Sequence, residues 1–302
     1  MVPTQTSNVV GKDIVRHSWK HESRVTTCIT KSEDRVIANL SKDSNKIAVF
    51  SENIDGHSLG ATYYFKSDVE QLLGHSIIDH KEAAKELKQL VNNGNKQAKD
   101  IRQQGKPVTF GLSYGAYPKK VAESIKCSIE EAEAIFNAYH NEMYPDITKF
   151  RNQVIAYTKQ HGYNHLGLGF QIYSSDIQKE ERTIFNASSQ FWSILTLMSM
   201  ADLYEAINKE NLQDDIFINA TIYDALYGYV RDDPAIIKWL NDTICPIMET
   251  DFLENQIVHN EANIEISDIN NNNWSSLHEL YHDMSIEDIS NFITTIDTPK
   301  DK

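Results

Sequence analysis

The spacing of apolar residues predicts a chain of helices with one pair of strands. Residues 32–40 follow a helical period, and residues 71–101 place leucines at loosely helical spacing on polar surfaces. Residues 127–163 carry the strongest helical pattern, and residues 181–208 predict another long helix. Residues 216–230 are rich in Ile, Thr and Tyr and predict two strands around a tight turn. We therefore expect an α/β chain with antiparallel strands and segregated helices.

Local signals mark several helix ends. Ser128 followed by Glu131 is the pattern of a capping box at a helix N-terminus. Pro145 predicts a break after Tyr144, and Gly162 predicts the end of the helix that follows.

The two ends of the chain carry weaker signals. Residues 1–31 show no clear period, so we expect no packed element there. Residues 239–253 predict a helix, and the acidic, Asn-rich part after about residue 269 predicts one weak helix near Ile286.

Composition is that of an ordinary folded protein. Hydrophobic residues make up 40% and charged residues 24% of the chain, which excludes a disordered tail. The net charge of −14 weighs against a nucleic-acid partner without excluding one, because basic residues can be concentrated in one groove. The three cysteines form no CxxC pair, and no apolar run is long enough to cross a bilayer. We expect a cytoplasmic protein with reduced thiols and no membrane partner.

A step-of-four pattern of cations and rings is the most informative feature. Its members are Arg102, Lys106, Phe110 and Tyr114. On a helix they would form one slowly drifting stripe, with the cations facing phosphates and a ring packing on a sugar or base. The alternative is an amphipathic helix with a solvated basic end and a buried aromatic end. Pro107 removes a backbone donor, so the helix is expected to begin near Gly105 or to be irregular there.

Three other places carry candidate functional residues. His57 lies in the segment DGHS, where a surface histidine is the alternative. Arg182, Asn186 and Gln190 form a second step-of-four stripe that suits minor-groove acceptors, although the polar face of a buried helix looks the same. Asp224 lies at the predicted hairpin turn, where either metal binding or an exposed turn explains a carboxylate.

In this order along the chain, these segments resemble family A DNA polymerases, particularly those of phages. The resemblance covers about residues 32–267 and rests on DGHS, RQQGKPVTFGLSYG, FNAYHNEMYPDI, GYNHLGLGF and ATIYDALYG. It implies that Arg102 and Lys106 bind the incoming triphosphate and that Lys106 assists the departing pyrophosphate. Phe110 would lie against the deoxyribose.

The same resemblance assigns the remaining candidates. Tyr114 would hold the template side of the nascent base pair, and His57 would touch the phosphates. The stripe of Arg182, Asn186 and Gln190 would bind the minor groove of primer-template DNA. Asp224 would be catalytic, as a ligand of the two Mg²⁺ ions that such enzymes use.

The resemblance stops inside the motif that should supply the other metal-binding aspartate. The segment SEDRVIANLSKD matches the later half of the motif Asp-x4-Glu-x-Arg. In this match Arg35 corresponds to the arginine, and Glu33 corresponds to the glutamate that lies near the ribose 2′ position. Cys28 stands where the aspartate is expected. We therefore expect little or no activity from the chain alone. We interpret residues 1–31 as sequence from an intron or other insertion, and the chain as the C-terminal part of a split polymerase.

The expected fold is a right-hand polymerase without its thumb. The palm, with an antiparallel sheet, would comprise residues 32–75 and 175–302, and the helical fingers residues 76–174. The expected function is DNA-directed DNA synthesis from dNTPs in viral replication, with primer-template DNA and an upstream polymerase polypeptide as partners. One alternative is a non-catalytic primer-template-binding relative, and another is an acidic helical interaction protein.

Overall fold

The computed structural model describes residues 23–30, 32–270 and 277–298. In chain order, the elements are β1 (Ser23–Thr30), α1 (Ser32–Ser41), α2 (Ser44–Ser51), α3 (Gly56–Tyr64), α4 (Lys66–Leu73), α5 (His80–Asn92), α6 (Lys96–Ser113), α7 (Pro118–Ile125), α8 (Ile129–Asn137), a π-helix (Ala138–Met143), α9 (Pro145–His161), β2 (Tyr163–Gly167), β3 (Phe170–Tyr173), α10 (Ile177–Ser189), α11 (Trp192–Lys209), β4 (Ile216–Ile222), β5 (Ala225–Arg231), α12 (Pro234–Met248), β6 (Ala262–Ser267), β7 (Leu277–Glu279) and α13 (Ile286–Asp297).

These elements divide into two compact units. Of the described residues, the sheet unit comprises 23–30, 32–33, 192–254, 259–270 and 277–298, and the helical unit comprises 34–191 and 255–258. The expected palm (residues 32–75 and 175–302) and fingers (residues 76–174) have other bounds than these two units, and that division stays a prediction.

The sheet unit is built on an antiparallel five-stranded sheet with the order β4-β5-β1-β6-β7. One face packs on α11, α12 and α13 through a cluster of apolar side chains that includes Leu203, Leu240 and Ile289. The predicted pair of strands over 216–230 is confirmed as β4 and β5. The weak helix near Ile286 is confirmed as α13.

The expectation that the first 31 residues hold no packed element is wrong for residues 23–30. These residues form β1, the central strand, which pairs with β5 on one side and β6 on the other. Val25, Thr26, Thr27 and Cys28 are all buried. A strand buried on both faces shows no polar alternation, which is why the period was unclear. This packing counts against residues 23–30 coming from an insertion, whereas residues 1–22 and Lys31 lie outside the described part of the chain.

A buried arginine ties β1 to the C-terminal helix. The side chain of Arg24 is fully buried, and its Nε donates to Asp232 Oδ1 at 2.6 Å. Its two terminal nitrogens donate to the carboxylate of Asp297 on α13 at 2.8 and 2.6 Å. Because a buried charge is costly without a partner, this arrangement makes residues 23–30 an integral part of the sheet unit.

Helices with a small β2–β3 hairpin form the helical unit. The predicted capping box is confirmed: Glu131 N–H donates to Ser128 Oγ at 3.1 Å, and Ser128 N–H donates to Glu131 Oε2 at 2.8 Å. Gly162 ends α9 with a φ of 78°, a conformation that glycine adopts at little cost. The break at Tyr144 is also confirmed, since the π-helix ends just before it.

Two expectations about helix continuity are corrected. α6 runs through Pro107 without beginning again at Gly105, because buried side chains such as Val108 and Leu112 hold the helix on the core beyond the missing donor. The long helix predicted over 181–208 is two helices that meet at Gln190 and Phe191. Phe191 is buried there, and its ring lies where a side chain at Gly167 would contact it.

Within the described ranges, no helix combines the length and the apolar character that crossing a membrane requires.

Candidate active site

The first step-of-four pattern lies on α6 in the helical unit. Arg102 is half-buried, and Lys106 is exposed. Phe110 is 48% exposed, which contradicts the alternative of a buried aromatic end. Tyr114 caps the C-terminus of α6. The outer side of the helix therefore presents two cations and an exposed ring, with Tyr114 at its end.

Two glycines let α3 approach α6 closely. A Cβ at Gly60 would lie 2.9 Å from Thr109 Oγ1 and 2.9 Å from the Tyr64 ring, closer than real side-chain carbons approach. A Cβ at Gly105 would lie 3.5 Å from the carbonyl oxygen of His57. The N-terminus of α3 thus lies directly beside the cationic part of α6.

This approach gathers the predicted phosphate-binding residues. Arg102 donates two hydrogen bonds to Asp55, from Nε and Nη2, each at 2.8 Å. The His57 ring lies 5.5 Å from the Phe110 ring, centre to centre. The ammonium of Lys106 lies 6.0 Å from the centre of the same ring, at the outer limit of a cation–π contact. Side chains that are 45 to 53 positions apart in the sequence therefore lie together in one cluster, for example those of His57 and Phe110.

The local field keeps the imidazole of His57 neutral. Burial lowers its pKa, and the charges of Arg102 and Lys106 lower it further against the opposing charge of Asp55. His57 Nδ1 is buried without a hydrogen-bond partner. A neutral ring with one buried nitrogen can offer a single hydrogen bond to a phosphate, whereas the full charges come from the two cations.

The second stripe begins against the end of α6. Arg182 on α10 donates from Nε to the carbonyl oxygen of Tyr114 at 3.2 Å. Gly115 follows with a φ of 78°, and a Cβ there would lie 3.2 Å from Arg182 Cγ. Asn186 is half-buried on α10, and Gln190 is the exposed residue that caps this helix. The stripe therefore lies along one helix and its C-terminal cap.

A cavity beside Arg182 adds residues that the sequence analysis missed. It has a volume of about 400 Å³ and is lined by Tyr117, Lys119, Lys120 and Arg182, among others. The side chain of Tyr117 is 57% exposed. Lys120 is paired with Glu123 of the same lining at 3.3 Å. An open aromatic ring near Lys119 and Arg182 suits a nucleotide, since a ring can stack on a base and cations attract phosphates. The segment AYPKK directly after the first motif was the available signal.

The other candidate, Asp224, lies in the sheet unit at the turn between β4 and β5. Tyr223, the first turn residue, has a φ of 57° and is 75% exposed. A bulky residue in the left-handed region is strained, and such strain concentrates at functional sites. Asp224 is half-buried, and burial raises the pKa of its carboxyl. A turn carboxylate of this kind can contribute one ligand to a metal ion.

Cys28 does not supply a second ligand. It pairs with Leu226 of β5, so the strand lies where the resemblance requires it. However, Cys28 is 1% exposed and packs on the core face of the sheet. Burial and a hydrogen bond with Cys245 hold the pKa of its thiol well above the usual range, so the metal-binding thiolate is disfavoured.

The pair of Mg²⁺ ions that the family resemblance implies does not fit the residues of this unit. Among residues 23–30, 32–270 and 277–298, no three His, Cys, Asp or Glu side chains lie close enough together to hold a metal ion. The side chain of Glu33 lies outside what the structure describes. Asp34 forms an ion pair with Lys46 Nζ at 2.6 Å. One carboxylate, Asp224, stands where two should bridge the ions.

Residues 78–251 match the family model described as DNA polymerase family A. This match covers more than half of the chain, and the chain therefore belongs to DNA polymerase family A. It is similar to DNA polymerase I of Caldicellulosiruptor bescii, with 24% identity over 64% of this chain and 21% of the relative. It is also similar to the DNA polymerase of Escherichia phage T5, with 28% identity over 44% of this chain and 18% of the relative.

The fold agrees with this membership. The chain superposes on the polymerase domain of Pol1 from M. smegmatis, solved in complex with DNA primer-template and dNTP, with a TM-score of 0.64. The match has 21% identity and covers 82% of this chain and 40% of that domain. The mixed fold of helices and antiparallel sheet is thus confirmed as that of a polymerase domain, while the chain spans about a fifth of the length of the curated relatives.

Proposed function

We propose that this chain is the nucleotide- and template-binding part of a DNA-directed DNA polymerase and that it transfers nucleotides poorly or not at all by itself. The observation that carries the proposal is the cluster on α3 and α6, where His57 and Lys106 lie beside the exposed ring of Phe110 and Asp55 holds Arg102 at the start of α3. Two cations, a neutral hydrogen-bonding ring and an apolar ring match the phosphates and the sugar of a deoxynucleoside triphosphate.

Each residue has a role in this proposal. Arg102 and Lys106 bind the triphosphate, and Lys106 also stabilises the departing pyrophosphate by its charge. Phe110 packs against the deoxyribose. Tyr114 and Arg182, in contact at the end of α6, hold the template side of the new base pair. Arg182 then continues into the minor-groove stripe through Asn186 and Gln190, whose amides suit the acceptors of every base pair.

The intact enzyme is proposed to join dNTPs to a primer 3′-OH with Mg²⁺ as cofactor. The residues of the sheet unit supply Asp224 and no second carboxylate at Cys28, so we derive no catalytic step for this chain alone. Similarity to the polymerase of phage T5 supports a role in viral DNA replication in a host cytoplasm. An upstream polymerase polypeptide would be the remaining partner.

The core-facing position of Cys28 favours a second candidate function. A relative that has lost catalysis would bind primer-template DNA and a matching dNTP without joining them. In that case Asp224→Ala would leave binding unchanged, and addition of an upstream polypeptide would restore no extension. The two candidates therefore share their binding residues and differ only in the chemistry.

The decisive experiment measures binding and extension together. A fluorescent primer-template duplex is titrated with the chain at low salt, with and without the next complementary dNTP, and primer extension is followed in the presence of Mg²⁺. We expect duplex binding that weakens with added salt, tighter binding with the correct dNTP, and little extension.

Two variants of α10 provide the matched comparison. Arg182→Ala should weaken duplex binding, whereas Lys179→Ala, whose side chain is 85% exposed on the same helix, should change it little. Failure of the native chain to bind duplex or dNTP at low salt would contradict the proposal and favour an acidic interaction protein.

A further inference from the structure

Asp55 links α3 and α6, the two helices that carry the proposed nucleotide cluster. This cluster comprises His57, Arg102, Lys106 and Phe110. Asp55 precedes α3 as its N-cap, where its Oδ2 accepts hydrogen bonds from Ser58 N–H at 2.8 Å and from Ser58 Oγ at 2.7 Å. The same carboxylate accepts two bonds from Arg102 on α6 at 2.8 Å each. The side chains of Arg102 and Asp55 are 18% and 16% exposed. A single carboxylate thus caps one helix and anchors the other.

The paired geometry fixes the direction of the guanidinium. Nε and Nη2 of Arg102 both bond Asp55, which holds the plane of the group in one orientation and leaves Nη1 outside the pair. An unrestrained arginine loses about 2 kcal/mol of rotamer entropy when it is immobilised. Because Asp55 has already restricted the side chain, a ligand that binds Nη1 meets a preorganised donor.

The cap on α3 has a parallel effect on His57. This residue lies in the first turn of α3, and its ring lies beside Phe110. The position of the ring depends on where the helix begins, and the Asp55–Ser58 bonds set that point. Burial raises the pKa of Asp55, but the hydrogen bonds from Arg102 and Ser58 outweigh it and keep the carboxyl ionised.

We propose that Asp55 is a positioning residue for triphosphate binding, which holds Arg102 and His57 in the register that the phosphates require. The inference rests on the proposed function and adds a residue that touches no ligand. The ion pair acts through Arg102, so the effect of losing this pair on nucleotide affinity should disappear when Arg102 is removed.

The substitution Asp55→Asn separates this role from simple helix capping. Asparagine is as good an N-cap as aspartate, so α3 keeps its start. It cannot form the charged two-bond pair with Arg102, because only one of its side-chain atoms accepts. Asp79→Asn is the matched control, since Asp79 caps α5 through the N–H groups of Lys81 and Glu82.

The test measures dNTP affinity in the presence of primer-template for the native chain, Asp55→Asn, Arg102→Ala, the double variant and Asp79→Asn. We expect about 10-fold weaker binding for Asp55→Asn, in the range of a lost charge-assisted hydrogen bond. The double variant should bind as Arg102→Ala alone does, and Asp79→Asn should bind as the native chain does. Native affinity in Asp55→Asn, or effects that multiply in the double variant, would overturn the inference.

A second readout does not depend on nucleotide. The Nε–H proton of Arg102, followed by ¹⁵N NMR, should exchange slowly with water in the native chain and in Asp79→Asn, and at least 10-fold faster in Asp55→Asn. Equal exchange rates in the native chain, Asp79→Asn and Asp55→Asn would show that Asp55 does not restrain the guanidinium of Arg102. A native chain that shows slow exchange yet binds no dNTP would overturn the proposed function, and the nucleotide role of Asp55 with it.

Discussion

The two units of this chain use their charged side chains in opposite ways. In the helical unit, Arg102 and Lys106 remain accessible on one side of α6, and Asp55 orients the first of them. In the sheet unit, Arg24 is fully enclosed and its bonds go to Asp232, Asp297 and a backbone carbonyl. The charges of the first unit lie at the proposed nucleotide site, and those of the second hold strands and helices together.

Under the proposed function, nucleotide binding and nucleotide joining depend on different parts of the chain. The binding groups are partly solvated cations on a helix, which cost little when the ligand is absent. Two adjacent carboxylates in a sheet are costly without their ions, because like charges repel in a poorly solvated place. A thiol that packs into the core, as Cys28 does, avoids that cost. A chain with such a sheet can retain affinity without the means to catalyse.

The largest effect should come from restoring a carboxylate at Cys28. Cys28→Asp places an unpaired charge on the core face of the sheet, which should lower the unfolding free energy of the sheet unit by about 4–7 kcal/mol at neutral pH. Urea unfolding followed by tryptophan fluorescence reports on this unit, since Trp192 and Trp239 are both part of it. Cys28→Ser is the control, with an expected loss of about 1–3 kcal/mol. An undisturbed unit with new primer extension would refute the core-facing assignment.

Removing the buried cation should have the next largest effect. Arg24→Met leaves Asp232 and Asp297 without their partner, and we expect the sheet unit to lose about 3–5 kcal/mol of stability. The comparison variant is Lys238→Met, which removes an exposed pair with Asp242 on α12 and should cost about 0.3–0.5 kcal/mol. Similar losses in both variants, measured by the same fluorescence assay, would show that the buried ion pairs of Arg24 do not stabilise the sheet unit.

In the helical unit, removing a cation should lower the affinity for dNTP and leave the free energy of unfolding nearly unaltered. Lys106→Ala removes a charge from the nucleotide cluster, and dNTP affinity should fall about 10-fold. Thermal unfolding should change little, because Lys106 is exposed. Lys99→Ala, an exposed lysine on the same helix, should leave dNTP affinity as it is. An equal loss for both lysines would point to nonspecific attraction of phosphate.

The smallest expected effect concerns the strained turn of the sheet unit. Tyr223→Gly relieves a left-handed backbone conformation and should stabilise the unit by about 1 kcal/mol, reduced by the loss of the ring contact with Trp192 at 6.4 Å. Tyr281→Gly, at an exposed tyrosine without a positive φ, should not stabilise the unit. If both substitutions destabilise it in urea unfolding, the turn stores no strain.

Features with local causes could be predicted from the amino-acid sequence. The capping box at Ser128, the end of α9 at Gly162 and the hairpin turn at Asp224 were all predictable, because a cap or a turn depends on residues within a few positions. The stripe on α6 was predictable for the same reason, since helical spacing alone places its members on one side. These local patterns, in their order along the chain, were sufficient to indicate the polymerase family.

Features that depend on distant partners became evident only from the packing of the folded chain. β1 is a central strand only because β5 and β6, about 200 and 240 residues later in the chain, bond its two edges. Cys28 faces the core because its place in that strand sets it beside Cys245. The pairing of Asp55 with Arg102 brings together residues 47 positions apart, and no local pattern signals an ion pair between two helices. Strand order and charge pairing are properties of the packed chain, so a sequence pattern confined to a few residues does not contain them.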